Sequence, residues 1–442
     1  MRKPMPNRDS VSLLLVPGKN WKLSLAELMT FLEVNCSSFE VNLFSKTFFV
    51  VSVNSTSTVD VASLGGIIKI GEVKTSFATQ TVKEAFLQKE KTAQMRLKDK
   101  IAETGLIGQM FENSIHGKTI FGVSVYWIDS VFRPVAYTMH HFLGSTIKKT
   151  LASQDKRANF MGFARDRDYP QLSHVEVIKK KLVENKAEVL FCVGKEQTFV
   201  ATTIAVHNPF EFQKRDVGKP SQRKIFAISP RLARIMTNLA ALRQGQVLLD
   251  PFCGVGTILQ EALLAGAEVV GMDINNWCVE AATRNLNWLK NEYSLEDAKF
   301  RVVQGDILKL TEKIGREQVD CIVTEPDLGP ALRQIPTRPY ALRLIEKLKP
   351  LHYSFLEEAF RVLRKDGRLV TVSPYIKTRS EQPVTMQIGN KAAEIGYKTA
   401  SIFREEFFTE KVTLAENLIG ITSFVDTDER HKIGREVHIF QK

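Results

Sequence analysis

VLLDPFCGVGT, residues 247–257, decides how the chain is read. Three apolar residues, Val247, Leu248 and Leu249, end in Asp250, and the backbone then turns through Gly254 and Gly256 into a helix-favouring run, Ile258 to Leu264. A strand, a tight glycine turn and a helix open a doubly wound α/β sheet, whose ligand crevice lies at the carboxyl ends of its strands. A G-x-G pair alone is a weak signal. The specificity has to come from the strands beyond it.

Downstream, VVGMD reads as a second buried strand ending in Asp273, 23 residues beyond Asp250. An acid at that tip can accept hydrogen bonds from both hydroxyls of a ribose. The strand FRVVQGD ends in Asp306, placed to accept from an adenine amino group. Each acid alone is more often a cap or turn residue; three at successive strand tips favour a nucleoside pocket over coincidence. No Walker lysine follows Gly256, and the third glycine of the dinucleotide fingerprint is missing. S-adenosylmethionine, which has ribose and adenine but no pyrophosphate, fits better than a dinucleotide or a nucleoside triphosphate.

The next strand, DCIVTE, runs into Glu325, Pro326, Asp327, Leu328, Gly329 and Pro330. This is the fourth strand tip, where chemistry on a substrate beside the cofactor would occur. The plainer reading of EPDLGP is a rigid turn. After it come an expected loop with Arg333, Arg338 and Tyr340, a helix over 351–363, the strand RLVTVSPY, and strands near 399–403 and 437–440. Together these would complete a seven-stranded sheet.

Upstream, SPRLARIMTNLA predicts a helix with Ser229 as N-cap, Pro230 in its first position and Leu232, Ile235, Met236 and Leu239 on one apolar face. Residues 207–228, rich in Pro, Gly and polar side chains, read as a linker. Residues 1–85 read as a small α+β domain with a helix over 24–34. Residues 86–206 read as a second α+β domain led by a charged connecting helix over 81–107, its apolar positions sparse. Within it, Ser173 and Glu176 form a capping box ahead of Val175, Ile178 and Leu182.

The 442 residues carry a formal net charge of +12, and 18 Lys and Arg against 9 Asp and Glu fall between Phe142 and Arg234. Such a concentration is either a solvated basic face or a phosphate-binding surface; its place between folded units favours the latter. The candidate RNA-binding residues are Lys148, Lys149, Lys179, Lys180, Lys181, Lys214 and Arg215. Five scattered cysteines with no C-x-x-C pair argue for a reducing compartment and against a disulfide framework or zinc site. The histidines show no metal-ligand spacing, and no apolar run reaches membrane-spanning length. A cytoplasmic protein without a metal or membrane partner is expected.

DVGKP, SPRLARIMTNLA and DPFCGVGTILQEAL together resemble the THUMP-domain tRNA guanine-N2-methyltransferases, a class I S-adenosylmethionine-dependent family. The resemblance is strong over 208–374 and weaker over 121–206, where GSTIKKT and LSHVEVIKKKL are similar to the THUMP part. It implies an α/β, Rossmann-like methyltransferase domain over 229–442, preceded by an α+β N-terminal domain and a THUMP-like RNA-binding domain, with tRNA as partner. It implies that Asp250, Gly254 and Gly256 cradle the methionine part of the cofactor, Asp273 its ribose and Asp306 its adenine. Glu325, Pro326 and Asp327 would be catalytic. The family's tetrapeptide is Asp or Asn, two prolines and an aromatic residue; here Glu325 replaces the acid, Asp327 the second proline and Leu328 the ring. The readings this leaves are a methyltransferase forming N2-methylguanosine in tRNA, an RNA-binding protein with an inactive methyltransferase fold, or a methyltransferase acting on another RNA or DNA base. The eukaryotic relative works with a small zinc-binding activator subunit; the resemblance raises the same partner, which no residue here by itself requires.

Overall fold

The computed structural model describes residues 10–54, 59–112, 119–163, 168–222, 228–409, 418 and 420–442. Gly117, where the sequence reads as starting the α+β segment that follows the charged helix, lies outside them. Among the described residues no helix is long and apolar enough to cross a membrane.

The first half of the chain gives β1 (Ser10–Pro17), α1 (Trp21–Asn35), β2 (Phe39–Leu43), β3 (Phe49–Asn54), β4 (Ile67–Ala78), α2 (Thr79–Phe86), α3 (Lys91–Ala102), α4 (Leu106–Gln109), β5 (Thr119–Trp127), α5 (Ala136–Ser153), β6 (Ala158–Phe160), α6 (His174–Lys179), β7 (Glu188–Val193) and β8 (Gln197–Val206). They build one eight-stranded sheet in the order β2-β3-β1-β4-β8-β7-β5-β6. The division expected after residue 85 is therefore no break in the sheet, because the long β4 pairs with β8 from the other side of it. The connecting helix expected over 81–107 is instead α2, α3 and α4. Its sparse apolar residues Val82, Phe86, Ala93, Leu97 and Ile101 are all buried, so this segment is core. The Ser173–Glu176 capping box forms as read, and α6 buries Val177, with Leu182 buried just beyond it.

The second half gives α7 (Pro209–Val217), α8 (Pro230–Leu239), β9 (Val247–Asp250), α9 (Thr257–Leu264), β10 (Glu268–Asp273), α10 (Asn276–Glu292), β11 (Phe300–Gln304), α11 (Leu310–Ile314), β12 (Val319–Thr324), α12 (Arg338–Val362), β13 (Leu363–Ile376), β14 (Val384–Thr385), α13 (Ile388–Ile395), β15 (Lys398–Thr399), β16 (Ser423–Asp426) and β17 (Ile433–Gln441). The sheet path is β11-β10-β9-β12-β13-β17-β15, with β14 on β13 and β16 on β17. The seven expected strands form that path, and two short ones are added to it. β9 to β13 pair in parallel and β17 lies antiparallel between β13 and β15. Chain order reverses between β9 and β12. A crevice opens at such a switch point.

Two expectations fail here for identifiable reasons. The helix read over 351–363 begins at Arg338, because Pro350, which looks like a breaker, is accommodated inside α12. Arg338 and Tyr340 therefore stand on a helix, not in a loop. The linker of 207–228 contains α7, capped by the Asn208 side chain, with Pro209 at its start.

The two halves share a core. Leu25, Leu28, Met29 and Leu32 of α1 belong to the same apolar cluster as Leu232 and Met236 of α8 and Leu248, Leu259 and Leu263 around the glycine turn. At this junction the buried Glu27 carboxylate accepts from the Gly65 and Gly66 amides, both at 2.7 Å, and from Asn238 Nδ2 at 2.8 Å. Arg231 donates to the Gly65 carbonyl through Nε at 2.9 Å and Nη2 at 2.7 Å.

Candidate active site

The glycine turn forms as read. Gly254 (φ 51°) and Gly256 (φ 84°) lie in the left-handed region, and a Cβ on Gly256 would stand 3.2 Å from the Ala282 Cβ of α10. Only glycine meets both demands without strain. The turn is tied to the next strand tip, since the Gly254 amide donates to Asp273 Oδ2 at 2.9 Å, while Asp273 Oδ1 accepts from the Asn275 amide at 2.9 Å. Each Asp273 oxygen keeps a lone pair for a ribose hydroxyl.

Asp250 is buried at the switch point, where its Oδ1 accepts from Thr324 Oγ1 at 2.6 Å and the Phe252 amide at 3.2 Å. Burial pushes its carboxyl up to about 7, and the nearby Asp273 and Glu325 charges add to the rise. Asp306 sits just past the end of β11, its Oδ1 accepting from the Leu308 amide at 3.0 Å. Beside these acids Ile274 (68% exposed), Leu308 (61%) and Trp277 (46%) present apolar surface to solvent. A sequence scan for acids passes over these three. Their signal is that each is a large apolar residue at or just past a strand tip.

The floor of the turn is held by the segment read as a linker. Glu261 of α9, wholly buried, accepts from Arg215 Nε at 2.6 Å and Arg234 Nε at 2.9 Å. Lys219 Nζ donates to Thr257 Oγ1 at 2.9 Å, and Asn285 of α10 bridges Ser221 and the Val255 carbonyl. Arg215 therefore leaves the set of RNA-binding candidates. Its charge is consumed by Glu261, and it is almost entirely covered. Lys214 stays at the surface but is paired with Glu292. Lys148, Lys149, Lys179, Lys180 and Lys181 are exposed. Lys148 joins Lys156 and Arg157 around a cleft of about 430 Å³ that also includes Thr119 and Asn159.

At the fourth tip Glu325 is not free. Both its oxygens accept from Arg435, Nε to Oε2 and Nη2 to Oε1, the latter at 3.2 Å. The pair is 11% and 14% exposed. β17 runs antiparallel to β13, so its first residues lie beside the carboxyl end of β13, with Arg435 opposite Pro374. That register carries a cation to the tips. The rest of the tetrapeptide loop is fixed as well: the Asp327 carbonyl lies 2.9 Å from His352 Nε2, Asp327 Oδ1 accepts from the Gly329 amide at 3.0 Å, and Gly329 has φ 97°. Pro326 is buried, Asp327 is exposed, and Leu328 packs on the shared core.

The structure therefore gathers Asp250, Gly254, Gly256, Asp273 and Glu325 around one crevice, with Asp306 at the adjacent strand tip. The acceptor set suits a cationic nucleoside: burial, with the neighbouring Asp273 and Glu325 charges adding to it, pushes Asp250 up to about 7, and a positive charge placed beside it would favour the ionised form.

Residues 220–381 match the family described as RMKL-like, methyltransferase domain. The tRNA (guanine(10)-N2)-dimethyltransferase of Methanothermobacter thermautotrophicus is 37% identical over 162 residues, 36% of this chain and 42% of that protein. The probable tRNA (guanine(10)-N2)-dimethyltransferase of Methanothermococcus thermolithotrophicus is 33% identical over 148 residues, 32% of this chain and 79% of that protein. The crystal structure of TrmN from Thermus thermophilus superposes with a TM-score of 0.51 at 14% identity, covering 98% of this chain and 99% of that one, a likeness of fold alone. The chain spans 42% of the Methanothermobacter relative and 37% of its counterpart from Methanocaldococcus jannaschii. On the likeness of sequence in its second half, the chain belongs to the tRNA (guanine-N2)-methyltransferase family.

Proposed function

We propose that the protein is an S-adenosylmethionine-dependent RNA methyltransferase that forms N2-methylguanosine in cytoplasmic tRNA. The observation that carries this is the placing of Glu325 one residue beyond Thr324, whose hydroxyl bonds Asp250 beneath the glycine turn. Cofactor acids and acceptor loop thus meet at one switch point.

The cofactor, when bound, supplies an electrophilic methyl group. Gly254 and Gly256 would leave room for its methionine part and Asp273 and Asp306 would hold its ribose and adenine, with the exposed Ile274 and Leu308 beside them. On the acceptor side Arg435 occupies one lone pair on each Glu325 oxygen and leaves the other available. Glu325 and the Pro326 carbonyl would then accept the two N–H bonds of a guanine amine and orient its nitrogen toward the crevice. Positive charge gathering on that nitrogen would be stabilised by these acceptors, and the proton it loses would pass to the Glu325 carboxylate. Asp327 offers a further acceptor at the mouth.

The basic surface of the first half, THUMP-like in this reading, would grip the RNA by shape and phosphates and present a flipped guanosine. Incubating the purified chain with methyl-labelled cofactor and total tRNA tests the proposal, with mass spectrometry of the nucleosides. N2-methylguanosine is expected; absence of label from every RNA overturns it. The Glu325–Arg435 pair favours one second reading, an RNA-binding protein whose acceptor site is closed. Retained RNA binding with no methyl transfer by the wild type would select that reading.

A further inference from the structure

One face of α12 is unlike the rest of the methyltransferase half. Tyr340, Arg343, Leu344, Lys347 and Leu348 follow helical spacing and fall on the same side. With Asp327, Gly329 and Pro330 they line a cleft of about 490 Å³. Leu344 and Leu348 are buried and make its floor, while Tyr340 is 42% exposed at its wall. Arg343 and Lys347 are exposed, and neither forms an ion pair among the described residues. The cleft thus offers an aromatic ring, two uncompensated cations and an apolar floor, in a volume within the range of small-ligand sites.

Its position fixes what it could hold. Asp327 is in the lining but Glu325 and Pro326 are not, so the cleft lies one step outward from the proposed site of transfer. The base that reacts would stand at Glu325. A nucleotide covalently joined to it would emerge past Asp327 onto α12.

We infer that this cleft is a binding site for the single-stranded RNA nucleotide adjoining the methylated guanosine, with its base stacked on Tyr340 and its phosphate held by Arg343 and Lys347. The inference rests on the RNA methyltransferase reading above. Stacking tolerates any base, since every base has a π face, so the site would add grip without reading sequence.

The test compares the wild type with Tyr340→Ala, Tyr340→Phe and the double variant Arg343→Ala/Lys347→Ala. Binding of a tRNA transcript is followed by fluorescence anisotropy over a salt series, methyl transfer by label, and cofactor binding by calorimetry. Tyr340, Arg343 and Lys347 are all exposed, so the cofactor affinity should be unchanged and serves as the control for folding. Tyr340→Ala should raise KM for RNA by about tenfold or more, in line with the loss of one stacked base, and Tyr340→Phe should restore it. The double variant should lower the slope of log affinity against log salt by about 0.7, from one single-strand phosphate that is no longer neutralised. Wild-type RNA affinity and KM in Tyr340→Ala, or an unchanged salt slope in the double variant, overturns the inference. If the wild type transfers no methyl group to RNA yet these variants lose RNA affinity as stated, the catalytic reading falls and the cleft stands as a site for a single-stranded RNA nucleotide.

Discussion

Asp250→Asn separates the electrostatics of the crevice from its packing. The native carboxyl is pushed up to about 7 by burial, whereas an unfolded one titrates near 3.8. The native state therefore holds a proton that the unfolded chain releases at lower pH. Stability from this group is fully present below about pH 4 and is lost as pH rises through about 7. Three units at about 1.4 kcal/mol each set an upper bound of roughly 4 kcal/mol on the loss, of which about 3 kcal/mol falls between pH 5 and 8. Asparagine is isosteric, and its oxygen can still accept from Thr324 and the Phe252 amide. Its buried NH2 adds a cost of about 1–3 kcal/mol, but one that does not vary with pH. The diagnostic quantity is accordingly the change in the stability gap between variant and wild type across urea titrations at pH 5, 6, 7 and 8. The gap should move toward the variant by about 3 kcal/mol over that range. A gap constant in pH, or one that moves toward the wild type, refutes the argument. A second readout comes from the sign of the charge. A cationic cofactor prefers ionised Asp250, so wild-type affinity should climb toward neutral pH and that of the variant should not.

Glu261→Gln leaves Arg215 and Arg234 buried without a counter-charge, and should cost about 3–5 kcal/mol by urea denaturation. Arg435→Met should abolish methyl transfer because Glu325 is no longer oriented, with a stability cost nearer 2–3 kcal/mol because the pair is not fully covered, while the cofactor affinity measured by calorimetry stays the same. Replacing Lys179, Lys180 and Lys181 together by Ala should leave thermal stability unchanged. It should also lower the salt slope of tRNA binding by up to about 2–3, at roughly 0.9 for each duplex phosphate that is no longer neutralised.

What could be read in the sequence was carried by local, periodic signals. The strands that end in Asp250 and Asp273, the Ser229 cap with Pro230, and the Ser173–Glu176 box are all determined within a few residues, and the structure shows each of them. Asp306 stands two residues past its strand, which ends at Gln304, and caps the turn beyond. Arg435 escaped because it reaches Glu325 across 110 residues through the register of an antiparallel strand. Residues 207–228 read as a linker because Pro, Gly and charge dominate their composition. The order of Arg215, Lys219 and Ser221 within them comes from Glu261, Thr257 and Asn285, which no local pattern reveals. The 81–107 segment failed in the opposite sense: few apolar residues, but nearly every one at the spacing that buries it. The α12 face was missed because the helix was read only over 351–363, which left out the preceding turns that carry Tyr340, Arg343 and Lys347.

The shared core constrains how the proposed grip would operate. If the first half could swing away from the second, the apolar cluster that α1 shares with α8 would be split, the buried Glu27 would lose Asn238, and Arg231 would lose the Gly65 carbonyl. Such an opening would expose apolar surface and leave a buried carboxylate short of a partner, and both cost free energy. The lysines of α5 and α6 are therefore held at a fixed distance from the tips of β9 to β12. An RNA bound at both places must span that distance with one particular nucleotide at Glu325. Position would then be selected by a rigid separation, and the crevice itself need only accept the base delivered to it. This is compatible with a cleft on α12 that stacks any base. It is also compatible with an acceptor loop whose tetrapeptide departs from its relatives, because neither has to carry the choice of site.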